Sequence, residues 1–243
     1  MGAGAGVVLG VGGLAAVGAW HAGPAVTKIE ALRRRALPAL AGMGRVDHVA
    51  LTFDDGPDPA STPRFLDALD GLGWKATFFA LGMMVERAPG LLAEASAAGH
   101  EIGLHGWSHR SLLKRAPGPT RDDLRRSFDK VAEVTGVAPR WYRPPFGLLT
   151  GSAWAQASRL GMTSVLWSAW GRDWRAEANP ATVVADVAGG VLAGGCVLLH
   201  DSDCTSAPGA WRAALGALPG LAELFAERGL EVGSLAQHDH PRG

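Results

Sequence analysis

From about residue 46 the chain alternates short β-branched or aromatic runs with longer stretches whose apolar positions recur every three to four residues. Short apolar runs bounded by turn residues fit strands buried on both faces, and the longer amphipathic stretches fit the helices that connect them. The pattern predicts strands over His48–Phe53, Ala76–Ala80, Glu101–Leu104, Arg140–Arg143, Thr163–Trp167, Cys196–Leu199 and Leu230–Val232. Helices are predicted over Thr62–Leu72, Val85–Ala98, Arg121–Thr135, Ser152–Leu160, Ala181–Leu192 and Trp211–Glu227, with left-handed caps at Gly73, Gly99, Gly136, Gly161 and Gly229. Seven strands joined by helical crossovers predict an α/β fold with a parallel sheet, and that number predicts a barrel.

Before residue 46 the pattern changes. Residues 3–20 carry no charge, and they are followed by Lys28 and the Arg33-Arg34-Arg35 cluster. The run is close to the ~20 apolar residues that a membrane-spanning helix needs, but its many Gly and Ala make it a weak span. The division expected is therefore an apolar leader with a connecting amphipathic helix over Ala25–Gly44 (residues 1–45), followed by one catalytic domain (residues 46–243). The leader makes membrane association an expectation and favours a cell-envelope or secreted location. The arginines after it would instead hold the domain on the cytoplasmic side by the positive-inside rule, so a cytoplasmic location stays open.

Composition narrows the partners. With 243 residues the chain is long enough for one full barrel. Lys plus Arg (23) equals Asp plus Glu (23), so no global field draws in nucleic acid and a neutral partner is expected. The two cysteines, Cys196 and Cys204, match neither a zinc-ribbon set nor a CxxC redox pair. Cys196 lies in an apolar run where a free thiol packs as a small hydrophobe, which favours two thiols over a disulfide.

The polar residues collect where a parallel barrel places its active site, at the C-terminal ends of the strands. The first strand ends in Asp54-Asp55, the third runs into HGWSH, the fourth into RPPFG, the fifth into WSAWGRDW and the sixth into LLHDSD. His105 and His109 stand four apart, which on a helix would set both imidazoles on one face. Two histidines and one carboxylate from another strand end make a three-ligand open site of the catalytic-zinc kind, and Asp55 completes it. As the acid and base of a glycosidase, Asp54 and Asp55 would have to face one sugar bond, whereas neighbours on a strand point to opposite faces. The pair is therefore expected to do two different jobs, with the chain bending at Gly56-Pro57.

TFDDGP, HGWSH, RPPFG, Asp173-Trp174 and LLHD, in this order, resemble the five motifs of the polysaccharide deacetylases, the NodB-homology enzymes of carbohydrate esterase family 4. The resemblance covers roughly residues 46–235. It implies a distorted (β/α)7 barrel and metal-dependent hydrolytic removal of an acetyl group from N-acetylated sugars in a polysaccharide or glycoconjugate. It makes Asp55, His105 and His109 the ligands of a divalent metal, expected to be zinc, and Asp54 the general base. It pairs Arg143 with Asp54, makes His200 the general acid with Asp173 as its partner, and gives Trp174 and Leu198 the apolar pocket for the acetyl methyl. It implies a main-chain N–H near Phe146 directed at the oxyanion, and Phe146 stands where many relatives have Tyr. These roles agree with elementary chemistry: an amide needs a polarised carbonyl, a proton acceptor for water and a proton donor for the leaving amine. O-deacetylation of a glycan or small glycoside, or sugar binding without turnover, are the alternatives. Trp107, Trp141, Trp167, Trp170 and Trp211 add indoles expected near the same mouth, as sugar-stacking platforms or as core.

Overall fold

The structure is a computed structural model and describes residues 18–238. Most of the 3–20 leader lies outside the described residues.

The strands are β1 (His48–Asp54), β2 (Thr77–Ala80), β3 (Glu101–Leu104), β4 (Trp141–Tyr142), β5 (Thr163–Ser164), β6 (Ala169–Trp170), β7 (Cys196–His200) and β8 (Glu231–Gly233). All pairings are parallel, in the order β5-β4-β3-β2-β1-β7-β6. Every residue of β1 is buried, as a strand covered on both faces requires. β7 pairs along one side of β1; on the other side β8 pairs with its beginning and β2 with its end. The result is a parallel α/β barrel, as the strand and helix pattern predicted, with the distortion that the family resemblance implied.

The segment Thr163–Trp167, predicted as one strand, ends after Ser164, and a second short strand begins at Ala169. These two pieces are the opposite edges of the sheet, so residues 165–168 carry the chain across an open seam instead of completing a ladder. Leu166 N–H, at that seam, donates to the carbonyl of Leu40 in the N-terminal segment (2.7 Å). Ala41 and Leu40 are buried beside it, and at Gly42 (φ 73°) a Cβ would lie 2.5 Å from Cys196 Cβ. The segment before residue 46 thus fills the seam.

That segment is not one helix over Ala25–Gly44. It forms a 3-10 turn, Gly23–Lys28, and a short α-helix, Glu30–Ala36, separated by extended Ile29 (ψ 104°). Pro24 and Pro38 favour turn and termination over a continuous helix. The remaining helices fall close to their predicted positions: Thr62–Gly71, Gly82–Arg87, Pro89–Ala97, Pro117–Thr135, Gly151–Arg159, Pro180–Gly190 and Trp211–Glu227. The helix expected over Val85–Ala98 breaks at Ala88, before Pro89, because the residue preceding a proline is pushed out of the helical region. The five predicted capping glycines all have φ between 64° and 85°. Among the described residues no helix is long and apolar enough to cross a membrane.

Candidate active site

The alternation of β1 explains half of the Asp54-Asp55 pair. Thr52 and Asp54 lie two apart and face the barrel interior, while Phe53 faces outward and packs its ring on Phe65 and Phe78, each 5.1 Å away. Continued alternation would send Asp55 outward as well. Asp55 instead adopts φ 83°, a left-handed conformation that aspartate tolerates better than most residues, and its side chain returns to the interior. Two adjacent carboxylates then serve one site.

Asp201 holds that turn. Its Oδ1 accepts from Gly56 N–H (3.0 Å), its Oδ2 from the Thr62 hydroxyl (2.5 Å) and its main-chain carbonyl from Ser61 Oγ (2.5 Å). A Cβ on Gly56 would collide with the Asp201 carboxylate, so only glycine lets the two segments come this close. Asp201 N–H also donates to the Asp54 carbonyl (3.2 Å). Neither Asp201 nor Thr205, whose hydroxyl donates to Asp55 Oδ2 (2.5 Å), was among the sequence candidates, although Asp201 directly follows His200 in LLHD.

Asp55, His105 and His109 converge. Asp55 Oδ1 lies 3.6 Å from His105 Nε2 and 3.8 Å from His109 Nε2, and ligand atoms of the three residues all fall within 4.8 Å of one another. Oxygen and nitrogen ligands about 2.1 Å from one ion in tetrahedral array stand about 3.4 Å apart, so these separations suit three ligands of a single ion. Asp55 Oδ1 is buried and has no hydrogen-bond partner, which is the state of a carboxylate oxygen reserved for a cation. His105 Nδ1 lies 2.8 Å from the Arg143 carbonyl; donating there leaves the Nε2 lone pair directed at the cluster. Burial and the neighbouring His105 lower the His109 pKa to about 4, against the opposing pull of Asp55 and Asp54, so its imidazole is neutral and able to ligate at neutral pH. Burial would raise the Asp55 carboxyl, but His200, His105 and His109 and the Thr205 hydroxyl outweigh it and hold the pKa below its ordinary value. The donor set fits a divalent metal.

The two histidines do not share a helical face. HGWSH is a loop after β3, and its histidine rings come within 5.2 Å of each other because the chain turns at Gly106 (φ 93°). Trp107 N–H bound to Asp123 Oδ2 (2.8 Å) pins the loop.

Arg143 is wholly buried inside the barrel. One of its amino groups donates to both Asp54 Oδ1 and Thr52 Oγ1 (2.8 Å each), the other to the Leu166 carbonyl (2.7 Å), and the guanidinium lies 4.0 Å from the centre of the Phe79 ring. Asp54 Oδ2 remains on the metal side, 3.7 Å from His105 Nε2. Across the cavity the Asp173 carboxylate clamps His200 twice, accepting from its N–H (2.7 Å) and standing 2.9 Å from Nδ1. Burial alone would lower the His200 pKa. The charge and hydrogen bond of Asp173, with Asp55 and Asp54 adding to them, raise it to about 10, so this imidazole is a cation near neutrality.

These groups open on one cavity of about 420 Å³, lined by Asp54, His105, His109 and His200 and walled by Phe146, Leu198, Trp167, Trp170 and Trp174. Phe146 packs its ring against His109 (4.3 Å between centroids). Trp167 stacks on Trp170 (5.5 Å), and Trp170 lies 6.4 Å from Trp174, making a row of indoles along one wall. Trp141 and Trp211, expected near the mouth, belong to the core instead: Trp141 donates to Glu101 (2.6 Å), and Trp211 begins the last long helix as a buried residue. Trp107 does not line the cavity; Arg126 covers its ring (3.3 Å) on the outer side. Cys196 is buried in the barrel and Cys204 exposed, and both are free thiols.

The architecture is thus a divalent-metal site at the C-terminal mouth of a distorted β/α barrel, with an Asp–Arg pair on one side and a His–Asp pair on the other. Residues 42–165 match the family described as polysaccharide deacetylase. The chain is 34% identical over 200 residues to a chitooligosaccharide deacetylase of Bradyrhizobium sp. (strain ANU 289), covering 78% of this chain and 89% of that one. It is 36% identical over 159 residues to the peptidoglycan-N-acetylglucosamine deacetylase PgdA of Listeria monocytogenes, covering 65% of this chain and only 33% of the relative, so the chain spans about a third of that relative's length. In structure it resembles the Bc1960 peptidoglycan N-acetylglucosamine deacetylase, with a TM-score of 0.74 and 29% identity over 81% of this chain and 90% of that one. The chain belongs to the polysaccharide deacetylase family, carbohydrate esterase family 4 with NodB homology.

Proposed function

We propose that this protein hydrolyses the acetamide of N-acetylglucosamine units in a glycan, releasing acetate and leaving a free amine, with zinc as its metal. The observation that carries the reading is the opposition, around one cavity, of Asp54 beside the Asp55–His105–His109 cluster and of His200 held by Asp173. A binding protein needs neither an oriented base nor an oriented acid. The similarity to deacetylases of peptidoglycan and of chitooligosaccharides supplies the substrate class.

When bound at Asp55, His105 and His109, a zinc ion supplies Lewis acidity, polarising the amide carbonyl and making water a stronger acid. Asp54 takes the proton of the attacking water; its Oδ1 is anchored by Arg143, so Oδ2 is presented in one orientation. The negative charge that develops on the carbonyl oxygen receives a hydrogen bond from the Phe146 main chain. His200, with Nδ1–H held by Asp173, donates from Nε2 to the departing nitrogen, without which the amine leaves poorly. Leu198 and Trp174 enclose the acetyl methyl, and the indole row gives faces on which pyranose rings stack.

The test is acetate release by the full chain from N-acetylglucosamine oligomers and from acetylated xylan, after chelation and again after zinc is restored. Zinc-dependent acetate from the oligomers is expected. Release from xylan alone would make the enzyme an O-deacetylase, and no release from either with zinc stoichiometrically bound would overturn the reading.

A further inference from the structure

The cavity wall contains one residue from outside the barrel. Lys28 lines it, and among its lining residues Lys28 is the sole lysine or arginine. Lys28 ends the Gly23–Lys28 turn, which the fold brings to the mouth through Arg33. Arg33 is 1% exposed and has no carboxylate partner among the described residues; its guanidinium donates to main-chain carbonyls on both sides of the seam. Nε and one amino group reach the Trp167 carbonyl (3.2 and 2.7 Å), and the other amino group reaches the carbonyls of Thr27 (2.6 Å) and Lys28 (3.4 Å). The same guanidinium lies 5.3 Å from the Trp167 ring centre. The backbone of Lys28 is therefore tied to the seam residue whose indole begins the stacking wall.

Lys28 forms no ion pair among the described residues, and it lies in the exposed part of the wall, as does Trp174 at 42% exposure, whereas Asp54 and His105 are each 2% exposed. A group that meets Lys28 is accordingly at the rim, above the buried floor that holds Asp54 and His105. We infer that Lys28 is a specificity residue that receives an anionic substituent, a carboxylate or a phosphate, on the sugar next to the one being deacetylated. The inference rests on the proposed deacetylation, and its chemistry is that of a compact ammonium beside stacking indoles: the rings accept any pyranose face, while the charge selects the substituted ones. Such a preference requires no global positive charge, in keeping with the balanced composition.

Binding to the zinc-loaded full chain carrying Asp54→Asn, which keeps the three metal ligands but blocks hydrolysis of the probes, is followed by quenching of tryptophan fluorescence, with Lys28 kept or replaced in that background. The probes are three tetrasaccharides: neutral N-acetylchitotetraose, an alternating N-acetylglucosamine–N-acetylmuramic acid tetramer carrying carboxylates, and a phosphorylated N-acetylchitotetraose. Lys28→Ala is expected to weaken one or both anionic probes about five- to tenfold and the neutral one less than twofold, Lys28→Arg to keep most of the preference, and added salt to shrink it. Whichever anion loses more identifies the source. Equal losses on neutral and anionic probes, or no loss on either anion, overturn the inference. Acetate release by the parent protein from all three tetramers is read in parallel: its absence from every one defeats the deacetylase reading and leaves the binding result to stand alone.

Discussion

Arg143 and Arg33 are both removed from water, and both lie near the Trp167 ring, at 6.0 and 5.3 Å. Their partners differ. Arg143 meets a charge, Asp54, and the pair sits inside the barrel at the end of β1. Among the described residues Arg33 donates only to main-chain carbonyls, and burial lowers its pKa to about 10, with Glu30 opposing and Arg143 adding to the fall, so it remains a cation at neutral pH. One arginine orients a reacting group; the other joins two pieces of chain that no strand ladder joins. The five planar donors of a guanidinium suit both tasks, and the partner decides which task is performed.

The largest effect expected is at Asp54 itself. Asp54→Asn should lower kcat by about 10²–10⁴-fold while zinc stays stoichiometric, because the base is lost and the three ligands are kept. His109→Ala should lose the zinc by elemental analysis. Activity within tenfold of the parent in the first variant, or full zinc in the second, would dissolve the division of labour between Asp54 and Asp55.

The arginines come next. Arg143→Ala strands a buried carboxylate and should cost about 3–5 kcal/mol of stability, whereas Arg33→Ala leaves carbonyls unpaired and should cost about 1–3 kcal/mol, both measured by urea unfolding. Arg33→Ala should also raise KM more than it lowers kcat, and Arg143→Ala the reverse. Equal losses in stability and kinetics would mean that carboxylate and carbonyl partners make no difference.

The smallest effect is confined to pH. His200 has a pKa raised from 6.5 to about 10, so its contribution to stability is full below pH 6.5 and is lost as pH rises through 10. Asp173→Asn removes the main group raising it; the loss of activity on the alkaline side should then begin at lower pH, with kcat at pH 9 reduced about tenfold. The decline in stability over the same window should flatten. An unchanged alkaline limb would show that another group sets it.

Much of the site was legible in the linear pattern because its residues sit at strand ends, and the strand periodicity places strand ends. Asp54, Asp55, His105, His109, Arg143, Asp173, Leu198 and His200 all converge where the order of strands predicted. Other readings failed where local pattern is shared by different environments. An HxxxH spacing does not distinguish a helix from a loop turned by Gly106. Trp141, Trp167 and Trp211 are equally apolar in sequence, yet only Trp167 reaches the cavity. Asp201 carried a usable signal, its place beside His200, and its role as the clamp on Gly56 still required the turn to be seen.

By itself the sequence determined the barrel class, most of the helices and the chemical groups at the mouth, since these follow from periodicity and from residue types at short spacing. Only the tertiary structure decided which of Arg33, Arg34 and Arg35 leaves the solvent. Arg33 binds a carbonyl 134 positions away, across a seam that exists because β5 and β6 do not pair. Charge clusters look alike along a chain, and burial is a property of what arrives from far off. The same packing brought Lys28 into the wall, where no short-range pattern could have placed it.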